Sequence, residues 1–114
     1  MGSIPGVKDE IKFDGQTKIG GFRFQKYLKE RVVHIHNPED GRVEYPIADF
    51  LKHTDKFMTR LRDLVSGEKI KLLDLSVEML SSGKLELDVK GCKDSVDVDK
   101  FQAGMKEFIK LLEK

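Results

Sequence analysis

Two rhythms alternate along this chain, one with a period of two and one with a period near 3.6, and each occurs twice. From Phe22 the residues alternate, with Phe22 and Phe24 on one side and Arg23, Gln25 and Tyr27 on the other, the signature of a half-buried strand. Lys29-Glu30-Arg31 predicts a turn, after which Val33 and Ile35 alternate with Val32, His34 and His36. Asn37-Pro38-Glu39-Asp40-Gly41 carries Pro early and Gly late, as a hairpin loop prefers, and Val43 and Tyr45 alternate with Arg42 and Glu44 on the return strand. Pro46 suits a first helical position, where its missing N–H costs nothing. Ile47, Phe50, Leu51, Phe57, Met58, Leu61, Leu64 and Val65 then recur at helical spacing, and Ser66-Gly67 supplies the stop.

The second half repeats the plan. Leu73, Leu75, Val77 and Met79 alternate along what reads as one long strand, Ser81-Ser82-Gly83 turns it, and Leu85, Leu87 and Val89 alternate on the return. After Gly91 and Asp94, Asp97 or Asp99 caps a helix whose stripe is Val98, Phe101, Met105, Phe108, Ile109 and Leu112. Setting Gly41 on Gly83 superimposes pseudo-repeats of about 32–66 and 70–114. Each half poses the same problem, a hairpin with one apolar face and a helix with one apolar stripe, and the two solve it by stacking. The expected fold is α+β: an antiparallel sheet from two β-hairpin–helix units in the order β-β-β-α-β-β-α, with both helices on one sheet face. Residues 19–114 form that single domain. Residues 1–18 read as a loose arm with room for one short strand about Ile11 and Phe13, and Gly20-Gly21 marks a bend.

Strand phase decides which groups face solvent. If register follows the loops, His36 lies opposite Arg42 and His34 opposite Glu44, and one open face gathers Arg23, Gln25, Tyr27, Lys29, His34, His36, Arg42 and Glu44, all but the last of them candidates to meet a nucleic acid. Cations, an aromatic ring and hydrogen-bonding groups together suit nucleic acid, although alternating polar residues are also what any solvated sheet face requires. The matching face of the second half, Asp74, Ser76, Glu78, Lys84, Glu86, Asp88 and Lys90, leans acidic.

Charge sharpens this picture locally rather than globally. The 114 residues carry a net charge of only +1, so no overall field recruits polyanions. Between Gln16 and Arg31, however, Lys18, Arg23, Lys26, Lys29 and Arg31 face the single acid Glu30. One cysteine, Cys92, excludes an intramolecular disulfide and a Cys-based zinc site and fits a reducing, cytoplasmic setting. No run approaches the roughly 20 apolar residues of a membrane span, and no signal segment is expected.

Candidate chemistry is sparse. His34 and His36, two residues apart on a strand, share a side and are weak candidates for chelating a metal, with Glu44 the nearest third ligand. Exposed imidazoles adding charge below pH ~6.5 are the simpler expectation. His53 falls off the helical stripe, and Cys92 has Lys90 and Lys93 nearby but no positioned base. Pairs such as Asp97 with Asp99 suit a helix N-terminus better than acid–base work. No phosphate loop or nucleophile elbow occurs, so no enzyme, cofactor or metal is expected.

In element order, residues 19–114 resemble the double-wing DNA-binding domain of phage middle-promoter transcription activators. Val33–Tyr45 and Leu75–Val89 stand where the wings would be. The resemblance implies DNA binding, a role in transcription, and a host-cell cytoplasm if the gene is a phage's. Type III secretion chaperones are similar in order after an opening helix that this chain lacks, and they are typically acidic dimers. Whirly and Pur-alpha single-strand binders also pair curved antiparallel sheets with helices, placing four strands before each helix. The expected partners are therefore DNA or RNA, or, in the alternative, a second copy or another protein docking on a strand edge. Ile70, Leu72 and Leu80, on the other side of the long strand, support that alternative.

Overall fold

The structure is a computed structural model that describes residues 13–113. Its order is β1 (Gly15–Ile19), β2 (Phe22–Tyr27), β3 (Val32–His36), β4 (Arg42–Pro46), α1 (Ile47–Arg62), β5 (Lys69–Leu72), β6 (Leu75–Met79), β7 (Lys84–Val89), β8 (Cys92–Asp97) and α2 (Val98–Leu112). The class is α+β, and each hairpin-and-helix unit is present. Each unit, however, is a four-stranded antiparallel meander followed by a helix, and the strands form two sheets, β1-β2-β3-β4 and β5-β6-β7-β8.

The extra strands arise at two-residue turns. Gly20-Gly21 joins β1 to β2, pairing Ile19 with Phe22, so the expected bend is a hairpin and the strand of the N-terminal segment is Gly15–Ile19. Ile11, one of the two residues of the strand expected there, lies outside the described residues. The long strand expected through Leu73–Met79 is broken at Leu73-Asp74, where Leu73 adopts φ +59°. Ile70 and Leu72 consequently fold back to pair with Val77 and Leu75. Leu72 is fully buried and Ile70 packs against the core, so these two of the second apolar series belong to a core face, while Leu80 stays partly exposed outside it. Lys90-Gly91, with two consecutive positive φ angles, makes the tight turn into β8, which places Cys92 on a strand.

The helices fall where their stripes predict, with Phe50, Thr54, Phe57 and Leu61 buried on α1 and Phe101, Met105, Phe108 and Leu112 on α2. Paired in that order, these residues stand 51 positions apart throughout. The internal equivalence thus matches β3–β4 with β7–β8 and Gly41 with Cys92, rather than Gly41 with Gly83. α1 ends at Arg62, before Val65, which is exposed, and Pro46 precedes the first helical residue.

The units interlock. α2 packs chiefly on β1 and α1 on β5, so each helix covers the opening strand of the other unit. Gly104 of α2 permits close approach: a Cβ there would lie 2.6 Å from Cγ1 of Ile19. One core results, drawing on both sheets and both helices. The Phe24–Phe108, Phe50–Phe108 and Phe57–Phe101 ring pairs, with centroids 5.6–6.0 Å apart, meet edge to face at its centre.

Polar clips join the units at their loops. The Asp94 carboxylate of β8 accepts the Gly21 N–H at 2.8 Å. Tyr45 of β4 donates its hydroxyl to Asp74 at 2.5 Å and accepts the Asp74 N–H at 3.0 Å. The buried Asn37 side chain donates to the Val89 carbonyl at 2.8 Å and accepts the N–H groups of Glu39 and Gly41. Lys26, counted above with the basic residues, is buried on the apolar face and donates its ammonium to the Leu111 carbonyl in the last turn of α2.

Three substitutions test this account. Gly104→Ala, favourable by helix propensity, is expected to destabilise by about 1–3 kcal/mol because the new methyl overpacks against buried Ile19. Asn37→Ala is expected to cost roughly 1–3 kcal/mol by stranding buried backbone groups, and Asn37→Asp, which sets a carboxylate oxygen against the buried Val89 carbonyl, at least as much. Urea unfolding of the three variants measures both effects.

Candidate nucleic-acid interface

The helices lie on the apolar side of the first sheet, and the polar residues project from the other side. Register puts Arg23 opposite His36 and His36 opposite Arg42, so these three form one row across β2, β3 and β4. The next row runs Gln16, Gln25, His34 and Glu44, and Lys18 stands beside Arg23. Gln16 and Lys18 belong to β1 and could be added only by recognising that Gly20-Gly21 joins two strands.

The rows differ in exposure. Arg42 is exposed, and Arg23 and His36 are partly so, whereas Gln25, Tyr27 and His34 are only 6%, 6% and 7% accessible. The latter three are inlaid, not presented. Tyr27 donates its hydroxyl to Gln25 Oε1 at 2.8 Å, Gln25 donates its amide to Gln16 at 2.7 Å, and the Tyr27 ring lies 4.2 Å from that of His34. Long side chains two apart on a strand, tied by hydrogen bonds, hide one another. Lys29 is exposed in the turn after β2, beyond the strand face on which it was expected. A depression of about 200 Å³ between Tyr27, Glu30, Val32, His34, Arg42 and Glu44 indents this face.

The imidazoles are the unusual groups. His34 Nε2 lies 3.2 Å from the Glu44 carboxylate, yet His34 Nδ1 and both nitrogens of His36 are shielded from solvent with no hydrogen-bond partner among the described residues. Burial lowers the pKa of His34, assisted by Arg42 and opposed by Glu44. Burial likewise lowers that of His36, assisted by Arg23, His34 and Arg42 and opposed by Asp40. Both rings are therefore neutral at pH 7, rather than exposed and ready to charge. Burial raises the Tyr27 pKa, so that hydroxyl stays protonated. Arg23 is paired with the exposed carboxylate of Asp40.

Among the described residues no group of three or more His, Cys, Asp or Glu side chains is placed to hold a metal ion. The second sheet is less acidic than expected. Its polar face adds Lys69, Lys71 and Lys93 from β5 and β8 to Lys84, balancing Glu78, Glu86, Asp88 and Asp97, while Asp74 and Lys90 lie in turns. Among the described residues no helix is long and apolar enough to cross a membrane. Comparison with protein-family models, curated proteins and solved structures finds no match.

The depressed imidazole pKa values carry a stability consequence. The unfolded chain binds protons at these residues near pH 6.5 and the folded chain only at lower pH. Their contribution is thus complete above pH 6.5 and is lost as pH falls below it. Thermal unfolding from pH 7.5 to 5.5 is expected to show falling stability, and a H34Q/H36Q variant a flatter profile.

Proposed function

We propose that this chain is a non-enzymatic module that binds single-stranded nucleic acid across the polar face of its first sheet. The observation that carries the reading is the row Arg23–His36–Arg42 beside Lys18, on a face that the helices leave uncovered. Guanidinium groups serve both needs of such a ligand, pairing with phosphate and stacking on bases. Four strands before each helix, twice over, is also the element order of the Whirly and Pur-alpha single-strand binders. The double-wing resemblance rested on three strands and then two, and with it the expectation of a transcriptional role. Within this reading the residues that meet the ligand are Arg23, His36, Arg42 and Lys18. Gln25, Tyr27 and His34 support them from below, and Lys29 can add a phosphate contact from the turn.

A second reading, docking of another protein or a second copy, has a different observation behind it. A groove of about 420 Å³ runs between the helices, with Leu51, Met58 and Ile109 along it and Asp55, Arg62 and Lys106 at its sides. Sedimentation at micromolar concentration addresses it: a strict monomer counts against self-association.

Binding to labelled single- and double-stranded DNA at several salt concentrations tests the main reading. The expected affinity is higher for the single strand and falls with salt, with a log–log slope near −0.7 for each phosphate engaged. Replacing Arg23 and Arg42 by Glu should reduce affinity more than about tenfold, since two cationic contacts become repulsive. The same change at Lys84 and Lys90 should matter little. Affinity indifferent to salt overturns the reading.

A further inference from the structure

The face that the nucleic-acid reading uses contains a feature which that reading does not need. Three imidazole nitrogens, His34 Nδ1 and both of His36, are hidden from water with no partner among the described residues. A neutral imidazole can donate from only one nitrogen, and an orphaned buried polar atom carries a desolvation cost. His36 sits between Arg23 and Arg42 in cross-strand register, and the two imidazole rings are 6.0 Å apart. The surroundings are therefore cationic, which disfavours a metal ion at these nitrogens and favours an anion.

We infer that a nucleic-acid phosphate bound over the Arg23–His36–Arg42 row brings a proton with it, converting His36 to an imidazolium that donates to the phosphate. The inference rests on the nucleic-acid reading and deepens it: the ligand is a phosphodiester, and its affinity is tuned by pH. Without ligand, protonation is opposed on every side that carries cations. Burial opposes it first at both rings; among the charged and titratable neighbours, Arg23 of β2, His34 of β3 and Arg42 of β4 oppose it at His36, and Arg42 opposes it at His34. The groups acting the other way are Asp40 of the β3–β4 loop on His36, and Glu44 of β4 and Glu30 of the β2–β3 turn on His34. Tyr27, neutral, completes the surroundings of His34. A phosphate set among the guanidinium groups reverses the balance at His36, because its charge offsets both arginines and its oxygens supply the missing acceptor. It competes with Asp40 for Arg23, that pairing is exposed enough to give way, and side chains of this row must move aside for a phosphate oxygen to reach an imidazole nitrogen that is shielded without ligand. By linkage, an anion that raises the imidazole pKa binds more tightly as pH falls, by up to about tenfold per pH unit for one proton.

The test measures binding of a labelled single-stranded oligonucleotide by anisotropy from pH 8.0 to 5.5 at fixed ionic strength, with circular dichroism confirming the fold at each pH. Calorimetry in two buffers of different ionisation enthalpy counts the protons taken up. The intact protein is expected to gain affinity several-fold across this range with net proton uptake. His36→Gln, compared with its own affinity at pH 8.0, should show a flattened pH profile and reduced proton uptake, and Asp40→Asn should bind more tightly at every pH. If His36→Gln fails to fold, His36→Asn serves in its place. Salt-dependent binding that is flat in pH, or that weakens in acid, overturns the proton coupling and leaves the nucleic-acid reading standing. The same is true of proton uptake unchanged in the His36 variant. Absence of binding at every pH overturns both.

Discussion

Neither four-stranded sheet of this molecule has a helix of its own lying over its first strand. The helix that follows β4 covers β5, and the helix that follows β8 covers β1. Apolar surface must leave water for a domain of this size to be stable, and here each unit supplies what hides the other. The Phe50–Phe108 and Phe57–Phe101 contacts across the helix pair, and Phe24–Phe108 from sheet to helix, make the dependence concrete. All else follows from the exchange. Glycines occur where helix meets strand, the loops of one unit are clipped to strands of the other, and a lysine is buried where α2 ends. Because both helices are engaged on the apolar side, the polar side of the first sheet remains open.

Much of this was legible in the sequence. The helical stripes were unambiguous because Phe50, Phe57, Phe101 and Phe108 leave only one face able to enter a core. The constant spacing of 51 between equivalent helix residues was also there to be read, and it would have matched β3–β4 with β7–β8. It was obscured by matching glycines instead, although glycines mark turns of differing length: five residues before Arg42 and two before Cys92. The strand count failed for a different reason. Leu73 takes a left-handed conformation that leucine rarely adopts, so nothing local separated β5 from β6. The break is held from afar, by the Tyr45 hydroxyl on Asp74. β8 was hidden by its edge position, where Lys93, Ser95 and Asp97 face solvent and only Val96 contributes a buried apolar side chain.

The candidate face was half legible for a related reason. Alternation correctly placed Arg23, Gln25, Tyr27, His34, His36 and Arg42 on one side of the sheet, because hairpin register follows loop length. It could not say which of them water reaches. Exposure depends on side chains leaning over one another, as Tyr27 does toward Gln25 and His34, and this is set by neighbouring strands. The second sheet's charge was misjudged because three of its four face lysines belong to strands that the pattern did not reveal.

The exchange of helices also orders events in time. Of the described elements β1 is made first and α2 last, yet they are packing partners, so a growing chain carries β1, with the core side chain of Ile19 uncovered, until α2 emerges from the ribosome. Contacts spanning nearly the whole chain slow folding and prolong the exposure of sticky intermediates. Joining α2 to β1 by a short peptide and opening the chain between α1 and β5 would make that partnership local, while moving α1 and β5, which are packing partners too, to the far ends of the rearranged order.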